Sequence, residues 1–223
     1  MQQIHGHDAA LAVLTDPGFI VPPVPPSPSG VGGIAWLRSA VGRFSSGDDH
    51  ARRRALSVAV IDAIPLEALR HTGTRHPAAT LATAMGVTED IVQLVRDVAQ
   101  AYQPGTGDEA RADAAVDQLV AVFGGVPDEA TAARIGVLVQ ACEATATLID
   151  RTRHAPLDEV LRDRPPVPFT KRQALAGTTV GDVIVEAGET VQVELAGELA
   201  FGAGPRVCPG RAHALALVEG ASS

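Results

Sequence analysis

Close to its C-terminal end the chain reads Phe201-Gly-Ala-Gly-Pro-Arg-Val-Cys-Pro-Gly-Arg211, and no other run restricts so strongly what the chain can fold into. Cys208 immediately precedes Pro209, and proline suits the first helical position because the N–H it lacks would be unpaired there. The spacing predicts Cys208 at the N-cap of a final helix running from Pro209 to about Glu219. Free backbone N–H groups and the positive end of the helix dipole would favour thiolate over thiol at that point. Arg206, two residues upstream, adds a cation. Gly202, Gly204 and Gly210 remove Cβ atoms and let backbone approach a flat, bulky ligand. A shielded thiolate on such an open face is a soft ligand of the kind that suits heme iron.

A loop of this kind needs a substantial core behind it. The 223 residues are enough for one large domain or two small ones. Hydrophobic residues make up 46% and charged residues 20%, which argues against wholesale disorder. Aromatics are only 3%, so the core has to be aliphatic. The net charge of −8 disfavours nucleic acid or an anionic membrane as partner. No stretch approaches the ~20 apolar residues that span a bilayer, and the first residues lack a signal peptide's basic start and apolar run. Two cysteines, Cys142 and Cys208, are too few for a disulfide scaffold, so a cytoplasmic location is expected.

There is no internal repeat. Residues 21–30 are rich in proline and predict an extended connector within a single domain of residues 1–223. Most of the rest has helical periodicity. Helices are expected over Asp48 to Ala63, after an N-cap at Thr88, from Asp108 to Phe123, and from Pro127-Asp128 to about Arg153. A shorter one fits Pro156 to Asp163. The period then changes: Val183, Val185, Val191, Val193 and Leu195 alternate about Ala187-Gly188, which predicts a β-hairpin. The fold class is mainly α with a small β-sheet, of the α+β kind.

The pattern Phe201-Gly202-x-Gly204-x-Arg206-x-Cys208-x-Gly210 resembles the heme-ligand loop of the cytochrome P-450 (heme-thiolate) family, in its bacterial, actinomycete-like form. The resemblance implies heme b (iron protoporphyrin IX) as cofactor, Cys208 as axial iron ligand, Arg206 paired with a heme propionate, and Phe201 beside the thiolate. Three further segments match the family in its order. His50 and Arg54, in Asp48-Asp-His-Ala-Arg-Arg-Arg54, share a helix face where two donors can hold a carboxylate pair. The segment resembles helix C, which implies that both bind propionates. Glu159-Val-Leu-Arg162 resembles the Glu-x-x-Arg of helix K, implying a buried ion pair, and Arg172 matches another propionate-binding position.

Val139-Gln-Ala-Cys-Glu-Ala-Thr145 resembles the distal helix I. Glu143 matches the acid, and Ala144 stands where the family has its oxygen-activating threonine. Thr145 follows, about 100° further round the helix. Ala144 offers no hydroxyl, so proton handling is expected of Glu143 through water, with Thr145 as a substitute. Cys142 reads as core, and a zinc site pairing it with Cys208 or His213 lacks ligand spacing.

The chain is short for this family. Thr145 to Glu159 leaves no room for helix J. The strand ending at Leu195 runs almost into Phe201 without the family's meander, and the final helix is not followed by C-terminal strands. The expectation is a reduced cytochrome P-450-like fold. Such trimming should leave apolar surface open, which predicts a homodimer or a partner protein over an open heme face. A compact holo-monomer in sedimentation would contradict that. The activity implied is oxidation of a small organic substrate in specialised metabolism, with electrons from a ferredoxin-type donor or with peroxide. The alternatives are a non-oxygenating heme enzyme (rearrangement, dehydration or cyclisation) and a non-catalytic heme-binding sensor or partner protein.

Overall fold

Caps and breakers in the sequence set most element boundaries. The computed structural model describes residues 1–25, 27, 32–70 and 75–221. In chain order the elements are β1 (Gln3–Ile4), α1 (His7–Thr15), β2 (Phe19–Ile20), α2 (Gly33–Ala40), α3 (Gly47–Asp62), α4 (Pro77–Ala84), α5 (Val92–Gln100), α6 (Glu109–Val122), α7 (Glu129–Thr152), α8 (Leu157–Asp163), β3 (Phe169–Ala174), β4 (Thr178–Val180), β5 (Val183–Val185), β6 (Thr190–Glu194) and α9 (Arg211–Ala221). Short 3-10 turns join several of them. Within the expected connector, residues 21–25 carry no helix or strand, and residues 26 and 28–30 lie outside the described residues. Only residues 153–156 separate α7 from α8, so no helix intervenes there.

The expected single domain divides into two compact units. The sheet unit is Met1–Pro22 with Asp150–Arg211, and the helical unit is Pro23–Ile149 with Ala212–Ser223.

In the sheet unit the strand order is β1-β6-β3-β2, with β1 parallel to β6 and the other pairs antiparallel. Alternation along β6 buries Val191 and Val193 and leaves Thr190, Gln192 and Glu194 half-buried. Those valines join Ile4, Val13, Leu14, Phe19 and Val185 in one apolar core. Each such side chain contributes about 1.5–3 kcal/mol on burial. The hairpin expected about Ala187-Gly188 does not form. β5 pairs instead with β4, Val180 opposite Val183, across the two-residue turn Gly181-Asp182. Gly181, at φ 58°, supplies the positive dihedral that such a tight turn needs. Gly188 does turn the chain, but it delivers β6 to β3 in the other sheet, with Gly188 N bonded to Ala174 O at 2.8 Å.

In the helical unit α6 packs against α5 and α2. Asp108 caps α6, accepting from Arg111 N at 3.1 Å. The N-terminus of α2 is capped from a distance: Asp117 accepts from Gly33 N at 3.2 Å and Asp113 from Ile34 N at 2.7 Å. Buried Arg38 closes the end of α5, donating to Ala101 O at 2.5 Å and Tyr102 O at 3.2 Å while pairing with Glu109 at 2.7 Å. Thr88 is not the N-cap expected for α5. Its hydroxyl bonds Glu89, and Asp90 accepts from Val92 N at 3.2 Å, so the helix starts later. α7 passes the length and composition test for a membrane-crossing helix, against the expectation that no stretch would. Half of its most apolar window is buried inside the protein, as in a core helix.

Candidate functional site

The Cys208 loop is built onto the end of α1. A 3-10 turn, Gly197–Leu199, follows β6, and Gly202 N then donates to Leu199 O at 2.7 Å. A second 3-10 turn, Gly204–Arg206, closes with Val207 N on Gly204 O at 3.1 Å. Cys208 N donates to Phe201 O at 2.8 Å and ties the two ends of the loop together. Gly204 sits at φ 64°, and a Cβ there would lie 2.8 Å from Leu14 O. Only glycine lets the loop dock against α1 so closely. Cys208 is exposed; Phe201 is half-buried, with the Arg211 guanidinium 5.4 Å from its ring centre. Arg206 is half-buried on the same loop, and Gly210 follows Pro209 in a turn.

That turn corrects the expected cap. α9 begins at Arg211, so Pro209 and Gly210 separate Cys208 from the helix. The bond from Cys208 N to Phe201 O commits Cys208 to the loop rather than to the helix end. The dipole fades within the first turn, so it contributes less to the thiol than the cap geometry would have.

Arg172 is 5% exposed and stands opposite Val191 in the β3–β6 register. Its Nη1 donates to Thr170 Oγ1 at 3.1 Å and Lys171 O at 2.9 Å. On α8 the expected buried Glu159–Arg162 pair is not observed. Arg162 is exposed and pairs with the adjacent Asp163 at 3.1 Å, while Glu159 is half-buried. A seven-residue helix presents Asp163 directly beside the guanidinium, and the neighbouring carboxylate takes the interaction.

Other residues singled out in the sequence lie in the helical unit. His50 and Arg54 are both half-buried on α3. Between them Arg52 and Arg53 clamp Glu129, the first residue of α7, at 2.8 Å each. The Arg52 and Arg53 hydrogen bonds hold the Glu129 carboxyl down to about 2 against the opposing effect of burial. On α7, Cys142 is fully buried, and desolvation followed by the Glu143 charge pushes its thiol up to about 12. Glu143 is exposed and lies 3.8 Å from Arg96 of α5. Thr145 is buried, and two residues of helix turn it about 200° from Glu143. The two therefore serve different surroundings.

His76, Cys142 and Glu143 bring their ligand atoms within 4.8 Å of one another. His76 Nδ1 accepts from Ala78 N at 3.2 Å as the cap of α4, so in the neutral ring the proton sits on Nε2. With that proton in place and Arg96 beside the carboxylate, the cluster as built is a core and cap arrangement, in keeping with Cys142 as a core residue. Motifs give no sign of Arg43 and Tyr102, a polar pair near α7; the one available signal was that Tyr102 is the single tyrosine of the chain.

The donor set fits an iron porphyrin. Of the two thiols only Cys208 reaches the surface, so it alone can meet a metal held in a bulky ring. Arg206 and Arg172 in the sheet unit, and separately His50 and Arg54 in the helical unit, are donors suited to carboxylates.

No family sequence profile matches the chain, and no curated protein matches it in sequence. Solved structures do. The cytochrome P-450 BioI, in complex with an acyl carrier protein ligated with hexadec-9Z-enoic acid, aligns at TM-score 0.70 and 18% identity, over 99% of this chain and 83% of that one. CalO2 aligns at TM-score 0.70 and 16% identity, over 98% of this chain and 81% of that one. CYP109E1 from Bacillus megaterium, in complex with testosterone, aligns at TM-score 0.64 and 16% identity, again over 98% and 81%.

Proposed function

From the cytochrome P-450 fold that this chain has, we propose a heme-binding oxidoreductase in which Cys208 would hold the iron. The observation that carries the reading is the exposed Cys208 thiol on a loop closed by its own N–H and fixed to α1 at Gly204. When bound, heme b supplies oxygen or peroxide activation, with the thiolate pushing electron density towards O–O cleavage. Gly202 and Gly210 keep the loop backbone open to the ring, and Phe201 covers one side of the thiol. Arg206 and Arg172 in the sheet unit, and His50 and Arg54 in the helical unit, would each offer donors to the ring's propionates. The substrate is a small organic molecule and the setting cytoplasmic. A ferredoxin-type donor, and a homodimer or a partner protein over the heme, complete the reading; BioI, with its acyl carrier protein, is a neighbour with a protein partner.

Proton handling divides between Thr145 and Glu143. Buried Thr145 can hold or pass a proton away from bulk water, whereas Glu143 is exposed and drawn to Arg96. That favours Thr145. One observation favours a second reading, a non-oxygenating heme enzyme or a heme-binding sensor: Ala144 offers no hydroxyl. Peroxide-driven oxidation of a panel of small apolar substrates by the heme-loaded chain separates the two. Oxidised product is expected, reduced about tenfold or more in Thr145→Val and within twofold of normal in Glu143→Gln. Absence of product with every substrate would favour the second reading, and a larger loss in Glu143→Gln would move the proton role to that carboxylate.

A further inference from the structure

Arg43 and Tyr102 both lie against the Phe44 ring in the helical unit, outside every motif described above. Arg43 belongs to the 3-10 turn Gly42–Phe44 between α2 and α3, and Tyr102 follows α5. The Phe44 ring carries both. Its centre lies 5.1 Å from that of Tyr102 and 5.6 Å from Arg43 Cζ. Tyr102 is 6% exposed, and its hydroxyl has no hydrogen-bond partner. Among the described residues no side-chain hydrogen bond or ion pair engages the Arg43 guanidinium. Burial lowers the pKa of Arg43 and raises that of Tyr102, each partly offset by the other group. Beside the hydroxyl α7 presents Gly136, where a Cβ would sit 3.8 Å from Tyr102 Oη and 3.2 Å from Val41 Cγ1.

Buried donors in folded proteins are nearly always satisfied, and a buried hydroxyl left without an acceptor is costly. Tyr102 Oη is such a donor, and the half-buried Arg43 lies over the same Phe44 ring. The guanidinium offers a planar fork of N–H groups and the phenol one O–H, and a single carboxylate can accept from both. The surrounding Phe44 and Val41 are apolar and suit an apolar remainder. The chain's net charge of −8 does not itself attract anions, so any anion held here is recognised by these two groups.

We propose that Arg43 and Tyr102 form a carboxylate-binding subsite for an apolar organic acid. As a statement of substrate class this rests on the heme-enzyme reading; the recognition of a carboxylate does not. The carboxylate can come from a substrate or from a porphyrin propionate, and the test distinguishes them.

Tyr102 is the only tyrosine, so [13Cζ]tyrosine labelling of the full chain gives one resonance that reports the site. The labelled protein is titrated with dodecanoate, with dodecanol as the uncharged control, and then with zinc protoporphyrin IX and its dimethyl ester. A saturable shift with dodecanoate but not dodecanol is expected, with binding about tenfold weaker in Arg43→Gln. Tyr102→Phe removes only an unpartnered oxygen, so it should keep its fold and bind dodecanoate about tenfold more weakly by calorimetry. A shift with the porphyrin acid and not its ester also supports the subsite and assigns the carboxylate to the cofactor. No shift with either acid, an equal shift with dodecanol, or full affinity in Arg43→Gln overturns it. Heme uptake read from the Soret band separates the two ideas. Uptake with a silent Tyr102 sinks the subsite alone, and a dodecanoate shift without heme uptake sinks the enzyme reading alone.

Discussion

Gly204 decides whether Cys208 is presented at all, because its positive φ and its approach to Leu14 O both exclude a side chain. Gly204→Ala forces about 1–2 kcal/mol of backbone strain and a clash with α1. It should weaken heme uptake about tenfold while leaving the circular dichroism of the helices unchanged. Uptake equal to that of the unaltered chain would remove the loop from the account. The loop was legible in the sequence because it demands particular residue types at fixed spacing. That Cys208 closes the loop instead of capping α9 was not, since this depends on where Phe201 O lies. Arg43 and Tyr102 were invisible for a related reason: their partnership arises only when the turn before α3 meets the end of α5. Glu159 and Arg162 failed in the opposite direction. Their spacing matched, but exposure and the adjacent Asp163 took the arginine away.

At the scale of elements, the firmest link between α3 and α7 is the clamp of Arg52 and Arg53 on Glu129. The folded protein holds this carboxyl at about 2, below its ordinary value of 4.5. The unfolded chain therefore takes up the proton first as the pH falls. The clamp's contribution is whole above the ordinary carboxyl value and drains away as the pH drops towards 2. Thermal melts across that window should show Tm falling with acid, and Glu129→Gln should melt lower near neutrality with a flatter acid slope. An unchanged slope would mean the clamp is not formed in solution. The starts of α6 and α7, near Asp108 and Asp128, and the extents of α3, α8 and α9 were legible from periodicity and breakers to within about two residues, whereas α1, α2 and α4 were not foreseen. The strand pairing was not: Gly181-Asp182 and Ala187-Gly188 are both credible turns, and only the valine core of the sheet unit selects which strands join.

Over the whole molecule, the reduced architecture was legible because the intervals between motifs are too short for additional helices, as the direct run from α7 to α8 bears out. The division into a sheet unit and a helical unit was not, since it depends on tertiary contacts that no local pattern records. The two halves of the proposed heme constellation fall in different units, with Cys208, Arg206 and Arg172 in one and His50 and Arg54 in the other. The central claim is that Cys208 binds the iron. The most direct measurement is the visible spectrum of the heme-reconstituted chain, reduced and exposed to carbon monoxide, beside that of Cys208→Ser. A strongly red-shifted Soret band that disappears in Cys208→Ser is the predicted result. Heme bound without that shift, the same shift in both proteins, or no heme uptake would contradict the account.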